Sequence, residues 1–179
     1  MVEEFLWQPI VPNKGHDSVL WNYVSNKGSL TKQLINSGYP FAVKVNYQGP
    51  DQSWPDELSL FELDTPTLLQ ARHVTLTLDR IPVVVARSLS RHHCPHWNAH
   101  HHHGNRSLGL LLFGGEFPIE REPLYYRSID NGHPLFKLAR HKDPYQATHY
   151  LARRSRFLLH GAPLSVCEVF LPALEKLLT

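Results

Sequence analysis

ARHVTLTLDRIPVVVARSLS, residues 71–90, is the stretch that decides the fold. Val74, Leu76 and Leu78 alternate with Thr75, Thr77 and Asp79, and β-branched residues fill both arms around Asp79–Arg80. Alternation at a period of two with such residues is a strand pattern, and two arms about a short polar turn predict a β-hairpin. On that period Arg72 shares a face with Val74, Leu76 and Leu78, and Arg87 one with Val83 and Val85, so both are expected to face buried surface.

A second segment repeats the pattern. RRSRFLLHGAPLSVCEVFLP, residues 153–172, reads as a hairpin turning at HGAP. Matching Pro82 to Pro163 lays Leu76 on Phe157, Leu78 on Leu159 and Val85 on Val166, and it places Arg72 on Arg153 and Arg87 on Glu168. Two such units predict one antiparallel sheet with charges at equivalent inward places. In the return arm Leu164, Val166, Glu168 and Phe170 share one face, and Ser165, Cys167, Val169 and Leu171 the other. Neither face is polar enough to be solvated, so Glu168 is expected to be enclosed. A buried carboxylate is costly unless protonated, paired or hydrogen-bonded, and Arg153, Arg154 and Arg156 are candidate partners.

Working outward, residues 1–16 read as irregular, and helices follow from Asp17 and over SLTKQLINSG, with Ser29 as cap and Gly38 as stop. FAVKVNYQG (41–49) alternates as a half-buried strand, and the proline-rich stretch 49–66 as extended loop. NRSLGLLLFGG offers Asn105 as a helix cap; IEREPLYYRSI is a strand broken at Pro123; HPLFKLARHK is a short helix with Pro134 in its first turn. The fold class is α+β. At 179 residues the chain has one-domain length, divided as an irregular and helical segment over 1–28 and a main body over 29–179.

Composition narrows the classes. Hydrophobic residues are 42% and charged residues 19%, ordinary for a globular protein. A net charge of +2, with no dense basic tract, argues against nucleic acid. No apolar run reaches the length of a signal peptide core or a membrane span, so a cytoplasmic protein is expected. Two cysteines, Cys94 and Cys167, make no disulfide framework, and Cys167 reads as a small core residue.

RHHCPHWNAHHHH (91–103) holds seven of the thirteen histidines. Histidine and cysteine suit zinc, copper or nickel, but this spacing fits no zinc template and lacks acidic support. It is read as a solvated loop with adventitious metal affinity. Arg72 and Arg87 carry planar forks suited to small organic carboxylates, and Glu168 could share a proton in a dry pocket. The same residues also suit structural ion pairs.

SLTKQL (29–34), the 71–88 hairpin, SLGLLLF (107–113) and RRSRFLLHGAPLSVCEVFLPA (153–173) together resemble the bacterial chorismate pyruvate-lyase family. The blocks stand in the family's order from Ser29 to Ala173, and RRSR with a G-x-P turn and E-x-F-L-P is the most specific. The resemblance implies a chorismate lyase-like main body, an antiparallel sheet of about six strands with flanking helices. It implies a monomeric enzyme that cleaves chorismate to 4-hydroxybenzoate and pyruvate, the committed step towards ubiquinone, with no metal or organic cofactor. Carried over by motif, the carboxylate-binding arginine falls on Arg72 and the glutamate at the product's hydroxyl end on Glu168. Ligand contacts through backbone groups fall on Leu30 and Leu108. Arg87 is the candidate for the enolpyruvyl carboxylate, and the arginine run 153–156 is then expected to support its strand from behind.

The sequence departs from the family at Leu30, where methionine is common, in the histidine content between Arg87 and Leu108, and in an apparent insertion over 131–149. Two other readings stand beside the lyase. One is a non-catalytic binder of small anions with the same fold, as in effector-sensing domains of transcription factors. The other is a metal-handling protein using the histidine segment.

Overall fold

The structure is a computed structural model that describes residues 6–12, 18–101 and 107–179. Both predicted hairpins are present and form its centre. Strands β2 (Leu68–Leu78) and β3 (Ile81–Arg91) are joined by Asp79–Arg80, and β6 (Tyr150–Leu159) and β7 (Ala162–Phe170) by His160–Gly161. All four turn residues have positive φ, the two-residue geometry that matches the twist of paired strands.

β3 and β7 pair with each other, so the hairpins merge into one antiparallel sheet. β1 (Phe41–Gln52) adds to β2 at one edge. At the other edge β4 (Ile119–Arg121) and β5 (Tyr125–Ile129) both pair with β6, at its two ends. Pro123, which lacks an N–H, falls between them and splits one edge into two short strands. The sheet therefore has seven strands in the order β1-β2-β3-β7-β6-β4, with β5 beside β4 on β6.

The hairpins differ in one respect. In β6–β7 the register is continuous from Leu159–Ala162 to Leu151–Phe170. In β2–β3 it slips between Leu76–Val84 and Thr77–Pro82, leaving Val83 as an extra residue. That bulge inverts which side chains of β3 face which way. Ser88 stands opposite Arg72 as Glu168 stands opposite Arg153, so the equivalent of Glu168 is Ser88 and not Arg87.

Helices cover both faces. On the face bearing Arg72 lie α1 (Val19–Val24), α2 (Leu30–Ile35) and α4 (Leu108–Phe113), capped by the hydroxyls of Ser18, Ser29 and Ser107. Asn105, the expected cap of α4, lies outside the described residues. Val24, Leu34, Leu78 and Leu174 of α6 (Pro172–Leu178) are fully buried in the main core cluster. On the opposite face α5 (Pro134–Lys142) packs Leu135, Phe136 and Ala139 against Val85, Cys167 and Val169. The apparent insertion over 131–149 is thus largely α5 and a turn held by Asp143, which accepts from the N–H groups of Tyr145 and Ala147 and from the Tyr150 hydroxyl.

Two expectations are corrected. The stretch 49–66 is not all extended loop: β1 continues to Gln52, and Pro55–Phe61 form a 3-10 helix. Pro55 presets its first turn, and Glu57 accepts the Trp54 N–H. The histidine segment is not simply a solvated loop, because Pro95–His101 form helix α3. Trp97 anchors it, fully buried, with its indole N–H donated to the Ala162 carbonyl at 2.8 Å.

Candidate active site

A cavity of about 50 Å³ lies between the sheet and the starts of α2 and α4. Its floor comes from alternate residues of neighbouring strands, including Arg72 of β2, Ser88 of β3, Glu168 of β7 and Arg153 of β6. Leu30 and Leu108, the first residues of α2 and α4, close it from above. The structure thus brings Leu30, Arg72, Leu108 and Glu168 to one enclosure. A larger cleft of about 660 Å³ adjoins it and shares Val43, Arg72, Ser107 and Leu108.

The roof depends on close contact between its two helices. Thr31 and Ser107 hydroxyls are hydrogen-bonded, and Gly109 sits where a Cβ would stand 2.5 Å from Thr31 Oγ1. Only glycine allows α4 to approach α2 this closely.

Arg72 is 4% exposed, and burial pulls its pKa below the ordinary arginine value. Glu168 is partly buried. Its Oε2 accepts from Arg153 Nε at 2.5 Å, while Oε1 takes no hydrogen bond among the described residues. Arg153 is therefore the partner of Glu168 and is not behind the strand. The same guanidinium donates through Nη1 to the carbonyls of Tyr23, Val24 and Asn26, the C-terminal end of α1. Arg154 and Arg156 do lie on the other face. Arg154 bonds the Asp56 carbonyl and stacks on Trp7, and Arg156 forms a two-point pair with Glu122.

Arg87 is the clear misplacement of the sequence reading. It is 1% exposed on the opposite face, with Nε and Nη2 on the Glu57 carboxylate at 2.7 and 3.1 Å and Nη1 on Asp51 at 2.5 Å. Its guanidinium lies 3.7 Å from the centre of the Trp54 ring. The bulge at Val83 turned it away from the cavity, and acids from the stretch read as loop neutralise it. Beside it, His73 Nε2 lies 2.8 Å from Arg87 Nη1. Burial, then the charge of Arg87, pushes the His73 pKa down to about 4, so the imidazole is neutral and accepts.

Asp56 anchors the rest of this second network. Burial alone would raise its pKa, but hydrogen bonds from His133 and Trp7 and the charges of His133 and Arg154 hold it down to about 2. Cys167, on the same face, is buried and its thiol pKa is pushed up by burial.

One cavity residue had no signal in the sequence. Arg121 of β4 sits in a three-residue strand with no periodicity to read. Nε donates to Ser155 Oγ at 3.3 Å, and Nη1 to the carbonyls of Lys27 and Gly28. Its guanidinium lies 5.1 and 5.4 Å from the rings of Phe113 and Phe157.

Among the described residues no group of three or more His, Cys, Asp or Glu is placed to hold a metal ion. The histidines near α3 meet in pairs, His92 with His93 and His96 with His160. No described helix is long and apolar enough to cross a membrane.

An antiparallel sheet with helices on both faces, enclosing an arginine-lined cavity with one carboxylate, defines an α+β protein with a charged internal cavity. The fold is shared with the C-terminal domain of the histidine utilization repressor from Pseudomonas syringae (TM-score 0.53, 11% identity, 75% of this chain and 93% of that one). It is also shared with PhnF from Mycobacterium smegmatis (TM-score 0.55, 10% identity, 82% and 64%). The family model described as chorismate lyase matches residues 1–177. Probable chorismate pyruvate-lyases from Nitrosomonas europaea and Nitrosospira multiformis are 34% and 37% identical, over 96% and 87% of each chain. The chain belongs to the chorismate lyase family.

Proposed function

We propose that the chain cleaves chorismate to 4-hydroxybenzoate and pyruvate, as a cofactor-free cytoplasmic monomer that opens the route to ubiquinone. The observation that carries this reading is the convergence of Arg72 and Glu168 on one cavity in a chain of this family. They stand two strands apart in the order β2-β3-β7, roughly 10 Å between backbones, a span that suits a para-substituted six-membered ring.

Arg72 anchors the ring carboxylate through its fork, in a site dry enough to strengthen the pair. Glu168 receives the ring hydroxyl on Oε1, with Oε2 fixed by Arg153. Leu30 and Leu108 add backbone contacts from the first turns of α2 and α4. The ether C–O bond breaks with its electron pair going to the enolpyruvyl oxygen, the hydrogen on the hydroxyl-bearing ring carbon leaves as a proton, and the released enolate takes up one proton at its methylene carbon to become pyruvate. The ring becomes aromatic, so the driving force lies in the substrate. The protein supplies position and charge.

The experiment is to mix pure protein with chorismate, with and without chelator, and follow 4-hydroxybenzoate by absorbance. Product formed equally in both supports a lyase whose histidines have no catalytic role. The fold likeness to the effector domain of PhnF from Mycobacterium smegmatis favours a second reading, an effector-binding module. Tight 4-hydroxybenzoate binding without turnover would favour it.

A further inference from the structure

Chorismate is a dianion. Resting on the lyase reading, the second carboxylate, carried by the enolpyruvyl group, needs its own partner. Arg87 is not available for it, being enclosed by Glu57 and Asp51 on the far side of the sheet. We infer that Arg121 receives the enolpyruvyl carboxylate, and with it sets the preference for the substrate over the product.

The position follows from the connectivity of the substrate. The enolpyruvyl oxygen sits on the ring carbon next to the one bearing the hydroxyl. With the ring carboxylate on Arg72 and the hydroxyl on Glu168, the side chain must leave the ring at the Glu168 end. In the sheet order β2-β3-β7-β6-β4, that direction leads away from Arg72 towards β4, the strand of Arg121. Ser155, which accepts from Arg121 Nε, stands on β6 two residues from Arg153, the partner of Glu168.

The charges agree. The cavity wall holds Arg72, Arg121, Arg153 and Glu168, three positive groups and one negative, for a net charge of +2. A bound dianion neutralises it; the 4-hydroxybenzoate monoanion does not. Arg153 already serves Glu168, whereas no carboxylate of the described residues lies within 4 Å of Arg121. Burial, and then the neighbouring charge of Arg153, pull the Arg121 pKa down, so an anion placed there relieves an existing cost. The carbonyls of Lys27 and Gly28 and the rings of Phe113 and Phe157 hold its fork in place, and Nη2 has no hydrogen-bond partner among the described residues.

The test separates substrate from product. In Arg121→Gln, kcat/KM for chorismate should fall about 10- to 100-fold, the effect of losing a charge-assisted pair. Calorimetric affinity for 4-hydroxybenzoate, which lacks the second carboxylate, should stay within about threefold. Arg121→Lys should recover part of the loss, and Arg121→Met, which keeps an apolar stem against the two rings, serves should the glutamine variant not fold. Equal losses for both ligands, or none for either, would overturn the inference while leaving the lyase reading intact. A wild-type chain that makes no 4-hydroxybenzoate defeats the lyase reading and the inference with it.

Discussion

Arg153 and Glu168 are cross-strand partners on β6 and β7, with Nε 2.5 Å from Oε2, and the same guanidinium gathers three backbone carbonyls from the end of α1. Arg153→Leu therefore strands a carboxylate and three acceptors at once. The expected loss is about 3–5 kcal/mol of stability, read from the urea midpoint. Glu168→Gln keeps the shape and should lose only about 1–2 kcal/mol while suppressing turnover. A loss below about 1 kcal/mol in the arginine variant would contradict the assignment.

Arg72 has a different test, because its expected partner is a ligand. Arg72→Ala should weaken 4-hydroxybenzoate binding about 100-fold by calorimetry, and lysine, a point charge without the fork, should recover only part of it. Wild-type affinity in the alanine variant would remove Arg72 from the anchoring role.

Gly109→Ala puts a methyl carbon 2.5 Å from Thr31 Oγ1, inside van der Waals contact. The α2–α4 roof should open slightly, at a cost of about 1–3 kcal/mol, with faster release of 4-hydroxybenzoate in stopped flow. Adding Thr31→Ala removes the nearest atom and should restore part of the stability. Unchanged release in Gly109→Ala would show that the roof does not control exit.

The His73 imidazole carries a pH prediction. Its folded pKa, about 4, lies below the ordinary value of 6.5. The stability tied to its neutral form is thus complete above pH ~6.5 and drains away as pH falls towards 4, amounting to about 3 kcal/mol. His73→Gln can still accept from Arg87 but cannot titrate. Urea unfolding between pH 7 and 4.5 should show a flatter decline for the variant than for wild type, and parallel declines would rule the imidazole out.

The hairpins are legible because β-branched alternation has one structural reading, and they place Arg72 and Glu168 on one face of the sheet. Parity failed where the chain itself breaks parity. Nothing in IPVVVARS distinguishes a regular strand from one with a bulge at Val83, so alternation alone puts Arg87 on the cavity side. The sequence offers three adjacent arginines as partners of Glu168, and only the β6–β7 register singles out Arg153. Arg121 gave no signal because β4 is only three residues long. Asp56 and Glu57 looked like loop acids because their buried partners are distant in sequence.

Val83 acts as a phase shift. One sheet carries two arginine centres back to back, Arg87 with Glu57 and Asp51 on one face and Arg72, Arg121 and Arg153 around the cavity on the other, and the extra residue assigns Arg87 to the first. By the same alternation, a chain lacking Val83 would turn Arg87 into the cavity and Ser88 towards Glu57. Which charges meet on each face of this sheet hangs on the count of residues in one strand.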